Sequence, residues 1–126
     1  MKEYPEKPYQ TWSSDPHSHW IDAGHTFGVH LMKYARDQAL STIPADASQE
    51  TKAVATEAVR TAIFGMLEML DGFYRHEIDD RHRAKYALMA HIIEDNTRVL
   101  ETVELAPDGD GLCMGFAGWW KNEFWQ

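Results

Sequence analysis

The side chains with the most chemical potential in this 126-residue chain are its seven histidines and the carboxylates near them. His19, Asp22 and His25 recur every three residues. On a helix each neighbouring pair stands on adjoining turns and the three span about 120° of arc, an arrangement able to supply three ligands to a divalent metal. Other pairs diverge: His17 and His19 point to nearly opposite sides of a helix, and His25 and His30 are about 140° apart. His76, Glu77, Asp79, Asp80 and His82 form a second cluster, on a segment so charged that it reads as a solvated connection. Clustered ionisable groups mark a site only statistically, so the plainer expectation is that both sets are solvated polar residues. No metal and no other cofactor is expected on that basis. The alternative is a metal-binding helical protein or small metal-dependent enzyme using His19, Asp22 and His25, joined by His76 or His82.

Nucleophilic and nucleotide chemistry find little support. His91 interrupts the most apolar stretch, Tyr86 to Ile93, where an imidazole must find a hydrogen-bond partner, and a structural role is expected for it. Cys113 is the single cysteine, so no internal disulfide can form; beside Met114 and Gly115 it is expected to pack as a small apolar side chain. The chain contains no HExxH, GxSxG, Walker or GxGxxG pattern. Asp108-Gly109-Asp110-Gly111 lacks the ligand ladder of a calcium loop and reads as a turn. No catalytic residue is expected.

The C-terminal third is the least ordinary feature. From Glu94 onward seven acids face only Arg98 and Lys121, a net charge of -5 in a chain whose total is -8. The same stretch ends in Trp119, Trp120, Phe124 and Trp125. Aromatic anchors beside carboxylates are the composition of a surface that docks a basic partner, the rings supplying desolvated contacts and the charges steering encounter. Glu94, Asp95, Glu101, Glu104, Asp108, Asp110, Trp119, Trp120 and Trp125 are therefore the candidate partner-binding residues. The competing expectation is that the tryptophans cap the core and the carboxylates only solubilise. An acidic balance argues against nucleic acid as the partner, because affinity there comes from Lys and Arg neutralising phosphates.

The elements that must position these residues can be read from punctuation and period. Residues 1–14, with Pro5 and Pro8, read as an extended arm before a single globular domain, 15–126. Asp15 before Pro16 is a helix-start signal. A helix is predicted over Pro16 to Leu40, with Trp20, Phe27, Leu31 and Tyr34 as its apolar stripe and Pro44 beyond its end. A second helix starts at Asp46 or Ser48. There Val54, Ala58, Ala62, Met66 and Leu70 repeat every four residues beside Ala55, Val59, Ile63 and Leu67, a two-column pattern with a wide buried face, closed by Gly72. Gly65 interrupts it at a cost of about 1 kcal/mol relative to Ala, which points to close approach by another element. Residues 84–106 fit either one long helix or a hairpin turning at Asp95 and Asn96; the turn chemistry and the Thr, Val and Leu content favour the hairpin. Leu112, Phe116, Trp119, Trp120 and Phe124 predict a short terminal helix weakened by Gly115 and Gly118. The fold class expected is α+β, with an all-α bundle as the alternative.

No stretch approaches the roughly 20 apolar residues of a membrane helix, and Met1 to Gln10 lacks the apolar core of a signal peptide. A cytoplasmic protein without membrane contact is expected, in which amphipathic helices could also pair across a two-fold homo-oligomer interface.

The run Ala62-Ile63-Phe64-Gly65-Met66-Leu67-Glu68-Met69-Leu70-Asp71-Gly72, then a candidate hairpin, then Asp110-Gly111-Leu112 leading to Phe116, Gly118 and Trp119, resembles small bacterial α+β proteins of unassigned function. Some of these are grouped with immunity proteins that neutralise polymorphic toxins. The resemblance covers about residues 55 to 122 and implies a small acidic cytosolic protein dedicated to one toxin; it carries over no binding residue. The function expected is a non-enzymatic protein that sequesters or blocks a basic macromolecular partner.

Overall fold

A computed structural model describes residues 16–74, 76–94, 98–107 and 111–123. The N-terminal arm and the Asp15 cap lie outside the described residues. Helix α1 runs Pro16–Leu31, passes through a π-helical turn at Met32–Arg36, and continues as α2, Asp37–Leu40. In the π turn the Asp37 amide donates to the Met32 carbonyl, five residues back. That wider turn rotates the residues after it relative to an α-helix. Tyr34, expected on the buried stripe, is consequently exposed, while Met32 and Arg36 turn inward and are buried. Trp20, also expected there, lies at the edge of the core, and its indole Nε1 donates to the Leu105 carbonyl at 2.8 Å.

Helix α3, Gln49–Asp71, has the boundaries its capping residues dictate. Ser48 Oγ accepts from the Thr51 amide at 3.1 Å, satisfying one of the free amides of the first turn. Gly72 adopts φ 79°, and the amides of Gly72 and Phe73 return to the carbonyls of Met69 and Glu68. This is the left-handed closure that a residue without Cβ adopts most readily. One apolar column is covered, with Ile63 and Leu67 buried and Val59 packed against the core; of the other only Leu70 packs there, whereas Val54, Ala58, Ala62 and Met66 are exposed. The expected wide buried face is therefore a narrow one.

Two small antiparallel sheets come next, so the fold is α+β. The charged segment expected to be a plain connection holds a short hairpin, β1 His76–Glu77 with β2 Arg83–Ala84. Its turn is pinned by Asp79, whose Oδ1 accepts from the Arg81 amide and from His82 Nδ1, each at 2.8 Å. The Arg81 amide first, then His82, hold the Asp79 carboxyl below its ordinary pKa by stabilising its charge. The second hairpin pairs β3, Met89–Glu94, with β4, Arg98–Glu104. Its register matches Met89 to Glu104 and Ile92 to Glu101, then slips at a bulge between Ile92 and Ile93, so that Ile93 faces Val99. The connecting residues Asp95 and Asn96 lie outside the described residues.

Helix α4, Gly111–Trp120, closes the core. Leu112, Phe116 and Trp119 recur at spacings of four and three and are all buried, meeting Val29, Leu31, Met32, Ile63, Leu67 and Leu105. Its first turn is held by a residue distant in sequence: Asp71 accepts from the Leu112 amide at 3.2 Å and from the Cys113 amide at 2.8 Å. A carboxylate there satisfies two free amides and complements the positive end of the helix dipole. No helix among the described residues is long and apolar enough to cross a membrane.

Candidate functional site

The acidic and aromatic residues expected to form one surface are dispersed by the fold. Glu101 sits on the face of β4 turned toward α1, where its Oε1 accepts from His19 Nδ1 at 2.7 Å. Glu104 is on the opposite face, across from Met89, and Glu94 stands near the hairpin tip, across from Arg98. With about 3.3 Å per residue, Glu94 and Glu104 stand roughly 17 Å apart along the hairpin, on alternate faces of it. Asp95, Asp108, Asp110 and Trp125 lie outside the described residues.

The tryptophans serve the interior. Trp119 is 2% exposed, so it offers no surface to a partner. Its ring meets Phe27 edge-on with centroids 6.0 Å apart, and its Nε1 donates to His25 Nδ1 at 3.1 Å. Trp120 is half-buried, stacked near Phe116 and under the Arg36 guanidinium, which lies 5.3 Å from its ring centroid. Arg36 also donates to the Trp120 carbonyl, to Asn122 Oδ1 and to Asp37 Oδ1. The pair of indoles is thus a packing device for α4, the competing expectation from sequence.

Apolar anchors are present on the hairpin instead. Met89, Ile93, Val99 and Leu100 are all about half exposed. Met89, His91 and Ile93 alternate outward along β3, and their partners Glu104, Thr102 and Val99 extend the same face. His91, expected to be buried, is exposed here, with Nδ1 2.8 Å from Thr102 Oγ1 across the strands. The apolar stretch around it misled because only its alternate members, Leu88, Ala90 and Ile92, turn inward. That alternation is the period-2 signal of a half-buried strand, and it was the available clue.

The helical histidines separate by role. His19 pairs with Glu101, and His25 with Trp119. Burial is the main influence on His25 and lowers its pKa, with the nearby Asp22 charge opposing it. The neutral imidazole so favoured is also the form whose Nδ1 can accept from the indole. Among the described residues no group of three or more His, Cys, Asp or Glu is placed to hold a metal ion, and His19, Asp22 and His25 are not such a group.

Two clefts flank α1. One of about 330 Å³ opens between α1 and α4, lined by Trp20, Gly24, His25, Leu105 and Met114. The other, about 270 Å³, runs between α1 and β3, with Thr26, His30, Leu88, His91 and Ile92 along it. Comparison with family models, curated proteins and solved structures finds no match to this chain.

Proposed function

We propose that this is a binding protein that captures a basic protein partner on the outer face of the β3–β4 hairpin. The observation that supports it is the strip of exposed Met89, Ile93 and Val99 with Glu104 on the same face, beside the exposed Leu100 of the bulge and with the exposed Glu94 at the hairpin tip. Apolar residues in the middle of such a strip desolvate on contact and set residence time, while carboxylates at its rim attract Lys and Arg and set the rate of encounter. The chain's net charge of -8 acts in the same direction at longer range. The most specific form of the proposal is an immunity protein that blocks a toxin effector domain in the cytoplasm, which rests on the pattern-level resemblance of residues 55 to 122. Glu101, Trp119 and Trp120, tied up within the fold, are not part of the surface proposed.

The test is to recover what co-purifies with the native protein from its own cells, then to measure binding kinetics with that partner. A single stoichiometric basic protein is expected. Replacing Glu94 and Glu104 together by Lys should slow association about tenfold at low salt, and Ile93→Ala should speed dissociation. Kinetics unchanged in both variants would remove this surface from consideration.

A further inference from the structure

The β3–β4 hairpin is a sheet of two strands, so each strand has one edge without a neighbouring strand among the described residues. The two free edges differ in composition. β4 carries Arg98, Glu101 and Glu104, charges of the kind that discourage a further strand. From Leu88 to Ile93 there is no carboxylate, lysine, arginine or proline. The β3 edge therefore lacks the residues that usually guard such an edge.

Register decides which groups that edge presents. The Leu105 amide donates to the Leu88 carbonyl at 2.9 Å, and in an antiparallel pair bonded and non-bonded partners alternate. Ala90 with Val103 and Ile92 with Glu101 are therefore the bonded pairs. Met89, opposite Glu104, and His91, opposite Thr102, turn their N–H and C=O groups away from β4. No backbone group of another described residue takes them up, and both residues are exposed.

The cleft of about 270 Å³ between α1 and β3 follows this edge. Leu88 and the first four residues of β3 line it consecutively, whereas a cleft on one face of a strand would meet only alternate residues. Its opposite wall is α1, through Ala23, Thr26, Phe27 and His30. The result is a slot with main-chain hydrogen-bonding groups on one side and a largely apolar helix on the other.

We propose that this slot takes an extended segment of the basic partner as a third strand paired with β3. The inference rests on the reading of the hairpin as a partner-binding surface and continues that surface, because Met89 and His91 stand on its outer face and at its free edge. Chemistry selects the occupant. Outward N–H and C=O groups on alternate residues are matched by another extended main chain, with alternate side chains supplying specificity. Side chains of the added strand that face Ala23 and Phe27 must be apolar. Those between them stand on the outer side with Glu104, about 10 Å away across two strand spacings, which suits long Lys or Arg side chains. A segment alternating basic and β-branched residues meets both demands.

The experiment is amide hydrogen exchange and NMR titration of the full chain, with a capped six-residue peptide alternating lysine and valine as the probe. In the free chain the amides of Met89 and His91 should exchange about tenfold or more faster than those of Ala90 and Ile92. Equally slow exchange overturns the proposal, because the edge is then already covered by residues 1–15 or by a second copy. The peptide should bind with a dissociation constant of about 1 mM or tighter and slow exchange at Met89 and His91. Versions methylated at the three valine or at the three lysine backbone nitrogens should differ about tenfold or more in affinity, since a strand offers only alternate amides to one neighbour. No saturable binding, or equal affinity of the two methylated peptides, overturns the added strand. Met89→Pro deletes an outward donor without touching the ladder to β4 and should weaken peptide binding about tenfold, whereas Met89→Ala, which keeps the N–H, should not. The two readings fail separately. If the partner recovered from the protein's own cells responds to Ile93→Ala but not to Met89→Pro, the hairpin surface stands and the third strand falls.

Discussion

The indole of Trp119 rests directly on the backbone of Gly28: a Cβ at position 28 would stand 2.5 Å from its ring atoms. No real Cβ tolerates that separation, so a glycine on α1 is what allows α4 to lie against it. Gly115, one turn before Trp119 on its own helix, leaves room for the other edge of the same ring, with an added Cβ again 2.5 Å away. One tryptophan is thus seated between two glycines from different helices.

Gly28→Ala should therefore destabilise the fold despite improving helix propensity. Overpacking costs about 1–3 kcal/mol, of which the gain from replacing a helical glycine returns about 1. Gly24→Ala on the same helix, with no atom within 4 Å of the added Cβ, should stabilise by up to about 1 kcal/mol. Urea unfolding of the two variants checks this; shifts of the same sign would show that Trp119 does not rest on Gly28 as described.

Asp71 joins α3 to α4 through the amides of Leu112 and Cys113. Removing the acceptor by Asp71→Ala leaves both without their partner and should cost about 2 kcal/mol, more than an exposed cap, because Asp71 is buried. Asp71→Asn, which keeps one acceptor oxygen, should cost less. Hydrogen exchange at Leu112 and Cys113 should accelerate in the alanine variant beyond what the global loss of stability explains.

Arg36 is 1% exposed and binds the last turn of α4 through its guanidinium fork. Arg36→Ala withdraws the donors that reach the Trp120 carbonyl and Asn122 Oδ1 and opens a void beside Trp120, at an expected cost of about 3 kcal/mol. Arg36→Lys retains charge but cannot reach the Trp120 carbonyl and Asn122 with one planar group, and should recover no more than about half of the loss. Thermal unfolding of the three proteins at one pH measures the order. Equal stability of wild type and the lysine variant would rule out the fork as the important contact.

His25 makes stability fall on acidification. Its pKa in the fold lies below the ordinary 6.5, chiefly because burial disfavours the charged imidazole. In the window between those two values the unfolded chain binds more protons than the folded one, so stability rises with pH there. The contribution is fully present above about pH 7.5 and is lost as pH falls through 6.5 to the depressed value. His25→Gln keeps an acceptor for the Trp119 indole and removes the titration. Its midpoint of urea unfolding should fall less than that of wild type between about pH 7.5 and 5, by no more than the effect of one proton. Parallel curves would mean that His25 does not titrate with folding.

Local signals in the sequence settle the boundaries of the helices. Pro16, Pro44, Ser48 and Gly72 each act through their own backbone or the next turn, so the start and end of α3 can be read without knowing what packs on it. The turn chemistry of Asp95 and Asn96, with the β-branched residues after them, likewise favours the β3–β4 hairpin over a helix. The candidate surface was legible only in composition. A run of acidic residues is contiguous along the chain, but a strand sends successive side chains to opposite faces, which turns Glu101 inward to His19 and Glu104 outward. The π turn at Met32–Arg36 similarly exchanges Tyr34 for Arg36 in the core, a rotation that no residue spacing announces. The two apolar columns of α3 are equivalent in sequence. Only the tertiary structure decides which is spent on the core and which remains exposed, because hydrophobic burial is non-directional and the side that α4 occupies is settled by long-range contacts such as Asp71 to Cys113.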